Sequence, residues 1–349
     1  MRYNKVCLEA LDYELPDNVV TSSGLEQRLA PVYAKLHRSI GRLEVMTGIR
    51  ERRLWRNGTQ PSQAGTRAAQ KAIARSGVDR GAIECLLHTS VSRDFLEPAT
   101  ATVVHDLLGL PPTAVIFDIS NACLGFVNGM VTLANMIELG QVKAGIVVGA
   151  ESSTPLIEAA INELLNDENV TRAKLNLALA SLTMGSGAAS VVLTHSSISR
   201  TGHRLVGGVV RTASHHNGLC RVQGDACLSD PDNCNSMYAD APGILKNGVQ
   251  LICETWPALL HELDWEESHV DRIFSHQVST THTERVFDTL KLDKAKGFST
   301  VEYLGNVGSV SLPISLAIGM DKGLLQAGDR VVLMGAGSGL CSIMLGLEW

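Results

Sequence analysis

Asp118-Ile-Ser-Asn-Ala-Cys123-Leu-Gly-Phe126 joins a short β-branched run to a long uncharged stretch of helical pattern. The chain continues through Gly140-Gln-Val-Lys-Ala-Gly145 into Ile146-Val-Val-Gly149-Ala-Glu-Ser152. A turn, an apolar helix and an aliphatic strand ending in glycine therefore follow one another. The same order returns at Asn306-Val-Gly-Ser309, a helical stretch, Gly323-Leu-Leu-Gln-Ala-Gly328 and Asp329-Arg-Val-Val-Leu-Met-Gly335-Ala-Gly-Ser338. Gly149 lies 28 positions after Asn121, and Gly335 lies 29 after Asn306. Repetition at a near-equal interval predicts two related halves; the alternative is chance likeness between aliphatic helices. The polar, Ser-rich residues 195–201 place the boundary between them. The expected units are 1–195, with the cysteine, and 196–349.

Outward from these segments, short aliphatic runs bounded by Gly, Asn or Ser alternate with longer helical patterns, as an α/β architecture requires. Strands are expected at 83–88, 114–118, 144–148, 188–193, 206–211, 272–275 and 330–334, and helices at 62–76, 99–108, 125–139, 241–263 and 310–322. Most of the strand candidates are apolar throughout, which predicts a sheet covered on both faces. Four stretches lack Asp, Glu, Lys and Arg altogether: 119–137, 175–199, 303–320 and 331–347. A membrane span needs about 20 predominantly apolar residues, but each run is broken by Asn, Ser, Thr, Gly or Pro. A chain that does not span the membrane is expected, with these runs in its core.

A net charge of -6 and the absence of a Lys/Arg block argue against nucleic acid as a partner; Arg50-Glu51-Arg52-Arg53 is too short. Acids stand where a signal peptide would carry its apolar core, so the cytoplasm is the expected compartment. Eight cysteines without an export signal read as free thiols. Cys220, Cys227 and Cys234 are evenly spaced, but no CxxC or Cys/His pair accompanies them, and no metal is expected.

Cys123 stands at a helix N-terminus, where the macrodipole and free N–H groups favour a reactive thiolate. Taken alone, it reads as well as a small buried hydrophobe. His276 follows the strand candidate at 272–275, and Asn306 lies in Leu304-Gly-Asn-Val-Gly308 where an uncharged run begins. Both can point into a crevice where strand ends and helix starts meet, and each alone is an ordinary turn residue. With Thr47-Gly-Ile-Arg-Glu-Arg-Arg53, Gly185-Ser-Gly-Ala-Ala189 and Gly335-Ala-Gly-Ser-Gly339, the set resembles the 3-oxoacyl-acyl carrier protein synthase III group of thiolase-fold condensing enzymes over nearly the whole chain. The resemblance implies two pseudo-symmetric halves layered αβαβα and a Cys123-His276-Asn306 triad. Residues 89–100 and Arg52-Arg-Leu-Trp55 most resemble the branch that opens long-chain olefin synthesis by joining two fatty acyl-CoA molecules.

On that resemblance Cys123 takes an acyl group from acyl-CoA as an enzyme thioester, splitting one transfer into two steps. His276 and Asn306 donate hydrogen bonds to the second thioester oxygen, and the N–H groups of Cys123 and Ser338 form the oxyanion hole. Coenzyme A thioesters are substrates, and no further cofactor is implied. Glu97 separates sub-functions. In decarboxylating relatives an aromatic residue precedes the following Pro, and loss of CO₂ generates the carbanion. An unactivated acyl-CoA instead needs a base for its α-proton, which a desolvated carboxylate can supply. The resemblance implies that Glu97 reaches the site from a partner subunit, hence a homodimer, and that later enzymes of the pathway are partners; the other reading of Glu97 is a solvated loop acid beside Asp94. The group commonly carries a Trp where this chain has Arg42, so its CoA contacts do not transfer directly.

The expected reaction is a non-decarboxylative condensation of two long-chain acyl-CoA molecules to a 2-alkyl-3-oxoalkanoate. The alternatives are a decarboxylating 3-oxoacyl-acyl carrier protein synthase III, a pyrone- or polyketide-type ketosynthase with the same triad, and a non-catalytic acyl-binding protein. Stretches 124–137 and 175–184 are candidates for alkyl-channel walls, with ordinary core as the other reading.

Overall fold

The computed structural model describes residues 1–222 and 237–349. Its main sheet has nine strands: β1 (Val6–Glu14), β2 (Cys85–His88), β3 (Val115–Asp118), β4 (Ala144–Glu151), β5 (Gly187–His195), β6 (Arg204–Thr212), β7 (Arg272–Ser275), β8 (Arg330–Gly337) and β9 (Cys341–Glu348). Their spatial order is β7-β8-β9-β6-β1-β5-β4-β2-β3. β2 is parallel to β3 and β4, and β7 to β8; the remaining pairs are antiparallel. β1 meets β6 at the single pair Cys7–Arg204. The sheet therefore parts there into a five-stranded and a four-stranded portion.

The longer helices are α1 (Pro61–Ser76), α2 (Thr100–Leu108), α3 (Gly125–Glu138), α4 (Thr154–Asn166), α5 (Arg172–Leu182), α6 (Ala241–Leu263), α7 (Thr280–Leu290) and α8 (Ser311–Asp321). Strand periodicity sorts them into layers, because alternate side chains point to opposite faces. On the five-stranded portion Leu86, Ile146, Val148 and Val192 pack with residues of α1 and α2. Their neighbours Leu87, Val147, Val191 and Leu193 face α3 and α8 instead. On the four-stranded portion Val332, Met334 and Met344 meet α6 and α7, whereas Val331, Leu333, Ile343 and Leu345 face α3 and α8. Helices α3 and α8 are thus the middle of five layers.

That position explains the uncharged runs. Ser311 through Gly319 of α8 are buried without interruption, as a helix with no solvent-facing side must be. The strand-end glycines make room for it. A Cβ on Gly149 would lie 2.7 Å from Val310 Cγ1, and one on Gly335 would lie 2.7 Å from Leu124 Cδ2. Each repeat's glycine admits the other repeat's turn. Among the described residues no helix is long and apolar enough to cross a membrane.

All seven expected strands and five expected helices are present, with ends shifted by up to three residues. Among the described residues, two strands of the main sheet and three of the longer helices were not anticipated. β1 carries Glu9 and Asp12, which are buried despite their charge. Glu9 is satisfied by Thr194 Oγ1, Ser199 Oγ and the Arg200 N–H. A register shift between Leu8 and Ala10 further breaks its alternation. β9 is hidden in the run 331–347, where it is separated from β8 only by a Gly-containing turn. α4, α5 and α7 lie at the periphery, and α5 forms the start of the run 175–199.

Candidate active site

Cys123 stands in the turn between β3 and α3. Leu124 N–H donates to Asn121 O at 2.9 Å and Gly125 N–H to Ala122 O at 3.2 Å. Ala122 has φ 44°, a left-handed backbone that a residue with a Cβ seldom adopts. The sulfur looks into a cavity of about 1670 Å³, and the backbone N–H groups of Cys123 and Ser338 are directed at it. Ser338 follows β8, close to Leu124 through the Gly337 contact.

The charge state of the thiol departs from the sequence expectation. Burial pushes Cys123 up to about 12, and Cys220 and Glu151 add to the rise. The two N–H groups pull the other way but are outweighed. A helix start favours thiolate when water also reaches it; here the helix begins in the middle layer, between two sheets. The balance of these contributions favours the thiol form of Cys123.

His276 directly follows β7, its N–H bonded to Met334 O at 2.9 Å. The ring is 4% exposed, and neither ring nitrogen has a hydrogen-bond partner. Burial, followed by the effect of His282, lowers it to about 3. A neutral imidazole offers one donor and one acceptor, and neither is engaged by another residue among those described. Gln277 secures this strand end. Its Oε1 accepts from the Thr300 and Val301 N–H groups at 2.8 and 2.9 Å, and its Nε2 donates to Phe298 O at 2.8 Å.

Asn306 is held at both backbone ends. Its N–H donates to Thr183 O at 3.0 Å, and its carbonyl accepts from Gly185 N–H at 2.8 Å. Its side-chain Oδ1 accepts from Gly308 N–H at 3.0 Å and Ser311 Oγ at 3.5 Å. With the amide oxygen occupied, the Nδ2 donor is left to face the cavity.

Cys123, His276, Asn306 and Ser338 all line this one cavity. Glu97 does not. It is exposed on the loop whose residues Val91 to Leu96 form part of the rim. Of the two stretches considered for channel walls, 175–184 lines the cavity through α5, with Leu177 and Ala180 among its residues. Residues 124–137 are core instead, because α3 is enclosed by both sheet portions. Arg42 is exposed at the start of the short helix Arg42–Thr47, of which Met46 and Thr47 reach the cavity. Cys220 lines it too, while Cys227 and Cys234 lie outside the described residues. Among the described residues no cluster of three or more His, Cys, Asp or Glu side chains could hold a metal.

Two buried titratable residues of the lining had no role in the sequence reading. Glu151 ends β4 and is 4% exposed. Its carboxylate accepts from Val91 N–H, Ser92 N–H, Ser92 Oγ and Ser309 Oγ at 2.5 to 3.1 Å. It thereby joins the rim loop to the Asn306 turn. An acid at the close of an aliphatic strand was the available signal. His282 of α7 is 8% exposed, with Nδ1 unpartnered and its basicity lowered by burial; nothing in its sequence context marks it.

Residues 117–214 match the family described as 3-oxoacyl-[acyl-carrier-protein (ACP)] synthase III, and residues 260–349 match its C-terminal family. An acyl-CoA:acyl-CoA alkyltransferase of Shewanella oneidensis is 41% identical, with both chains covered in full. One of Xanthomonas campestris is 35% identical, again over the whole of both chains.

The chain belongs to the 3-oxoacyl-acyl carrier protein synthase III family, on its OleA branch.

A solved Xanthomonas campestris OleA variant with bound lauric acid and lauroyl-CoA superposes with a TM-score of 0.93 at 34% identity, covering 99% of this chain and 100% of that one. The five layers are accordingly those of the thiolase fold, as the sequence led one to expect. In this synthase III member the family's Cys-His-Asn pattern, carried onto Cys123, His276 and Asn306, converges on one cavity.

Proposed function

We propose that the chain joins two long-chain fatty acyl-CoA molecules, without decarboxylation, to a 2-alkyl-3-oxoalkanoate, the opening step of long-chain olefin synthesis. The observation that carries this reading is the joint placement of Cys123, His276, Asn306 and the Ser338 N–H on one apolar-walled cavity. Its volume, about 1670 Å³, exceeds the roughly 300–1,000 Å³ of ordinary small-molecule pockets. That is room for more than one alkyl chain.

Cys123 sulfur attacks the first thioester carbonyl, its proton leaves with the departing CoA thiol, and an acyl-Cys123 thioester remains. The N–H groups of Cys123 and Ser338 hold the oxyanion of each tetrahedral intermediate. The second acyl-CoA binds with its thioester oxygen against Asn306 Nδ2 and His276. Loss of its α-proton leaves an enolate that both donors stabilise. The α-carbon attacks the acyl carbonyl, Cys123 is released as thiol, and hydrolysis of the remaining thioester frees the second CoA. The reaction calls for no metal or organic cofactor.

The partner subunit's Glu97 takes the α-proton in this scheme. Glu97 is exposed outside the cavity of its own chain, so it can act only by entering another. An edge for such a pairing is at hand. β3 ends the sheet with Val115 and Phe117 45% and 37% exposed, and an unpaired apolar edge is an association site. A cytoplasmic homodimer is the form proposed.

Incubation with myristoyl-CoA alone tests the reaction: free CoA and a 3-oxo product are expected. A requirement for malonyl-acyl carrier protein would replace this reading with the decarboxylating one. Glu97→Gln is expected to acylate Cys123 and to stop there; retained condensation would remove the carboxylate from the mechanism.

A further inference from the structure

One face of α6 forms a wall of the cavity, through Ala241, Ile244, Leu245, Gly248 and Leu251. These positions recur at helical spacing, and four of the five carry an apolar side chain. Gly248 carries none, eight residues into a 23-residue helix. Glycine in a helix interior is less stable than alanine, so its presence calls for a cause.

Close packing is the usual cause, and it accounts for the other buried helical glycines. A Cβ on Gly65 of α1 would lie 2.8 Å from Val148 Cγ1. One on Gly129 of α3 would lie 2.6 Å from Thr89 Cγ2, and one on Gly319 of α8 2.6 Å from Phe274 Cε1. Backbone conformation is another cause, but Gly248 is not among the residues of positive φ. Beyond its chain neighbours and the backbone of its own helix, no atom of the described residues lies within 4 Å of the point where its Cβ would stand. The residue is nevertheless buried, and the open space beside it is the cavity.

We infer that Gly248 is a specificity-determining residue: the missing side chain leaves a recess in the α6 wall that accommodates the distal part of a long alkyl chain. This inference rests on acyl-CoA being the substrate. An alkyl chain passing between Leu245 and Leu251 gains burial per methylene from the apolar wall. A side chain at 248 would occupy that space, and a shorter chain would lose nothing.

The test compares the wild-type protein, Gly248→Ala and Gly248→Leu with decanoyl-CoA and hexadecanoyl-CoA as separate donors. It reads acylation of Cys123 by intact mass and the initial rate of CoA release. In Gly248→Leu the ratio of hexadecanoyl to decanoyl rates is expected to fall by about tenfold or more, the discrimination typical of an apolar pocket altered by a methylene or more. Gly248→Ala is expected to shift the ratio the same way by a smaller factor, with an equal or higher thermal midpoint because alanine is the better helix former. An unchanged ratio in Gly248→Ala and in any folded Gly248→Leu would overturn the inference while leaving the substrate reading intact. A wild-type protein acylated by neither donor would overturn both.

Discussion

The Cys123 turn and the Asn306 turn are built alike and present their functional atoms in opposite ways. Each leads into a middle-layer helix, α3 or α8, and each is admitted by a glycine at the end of the other repeat's strand. At the first, the backbone bends through Ala122 with φ 44°. At the second it bends through Gly305 and Gly308, with φ 68° and 57°. A Cβ on Gly305 would stand 2.7 Å from Thr183 O, so that turn has no room for alanine. The cysteine sulfur meets N–H groups and the cavity, whereas the Asn306 amide is tied through its oxygen, which fixes the orientation of its NH2 group. A nucleophile must exchange partners during a reaction, while a hydrogen-bond donor acts best when its direction is set beforehand. On the proposed reaction, one framework serves both needs through the residues placed at its two bends.

The comparison fails if the amide donor is dispensable. Asn306→Asp keeps an acceptor for the Gly308 N–H and replaces only the Nδ2 donor. Condensation is expected to fall by about 10² to 10³, the usual loss for one oxyanion donor, while acylation of Cys123 persists. Separate measurement of the acylation burst and of steady-state product would show it; equal losses in both would make Asn306 structural.

A second break lies in the pH dependence. With Cys123 raised to about 12, the thiol form predominates below that pH and the thiolate grows as pH rises. Alkylation by iodoacetamide should therefore climb about tenfold per pH unit with no plateau below about pH 10. His276, lowered to about 3, stays neutral and should add no step between about pH 5 and 8. A plateau near neutrality would mean that the helix start and the Ser338 N–H outweigh burial after all.

The smallest effect is expected from Ala122→Gly. Glycine removes a left-handed cost of about 1–2 kcal/mol and adds about 0.5–1 kcal/mol of unfolded-chain entropy. The net gain in denaturant stability should be below about 1.5 kcal/mol. A clear loss would show that the Ala122 methyl makes a contact needed for the turn.

That Cys123, His276 and Asn306 line one cavity was legible because each stands where an aliphatic run gives way to glycine or a helix start, and strand ends and helix starts of an α/β fold face one crevice. The layers were legible because period-two burial and uncharged helices leave compositional traces. β1 was concealed because its acids find partners far along the chain, Glu9 at Thr194, Ser199 and Arg200 and Asp12 at Arg75. Glu151 was passed over for the same reason: its meaning lies in Ser309, which only folding brings near. The direction of the thiol's pKa shift depends on the protein mass around the sulfur, which no local pattern displays. The order of elements, the motifs around Cys123, His276 and Asn306 and the family are local or repeated patterns, and such patterns survive in one dimension. Which acids are satisfied, how far the sulfur is dried and where a glycine opens a wall depend on contacts between distant segments, which exist only once the two sheet portions enclose α3 and α8.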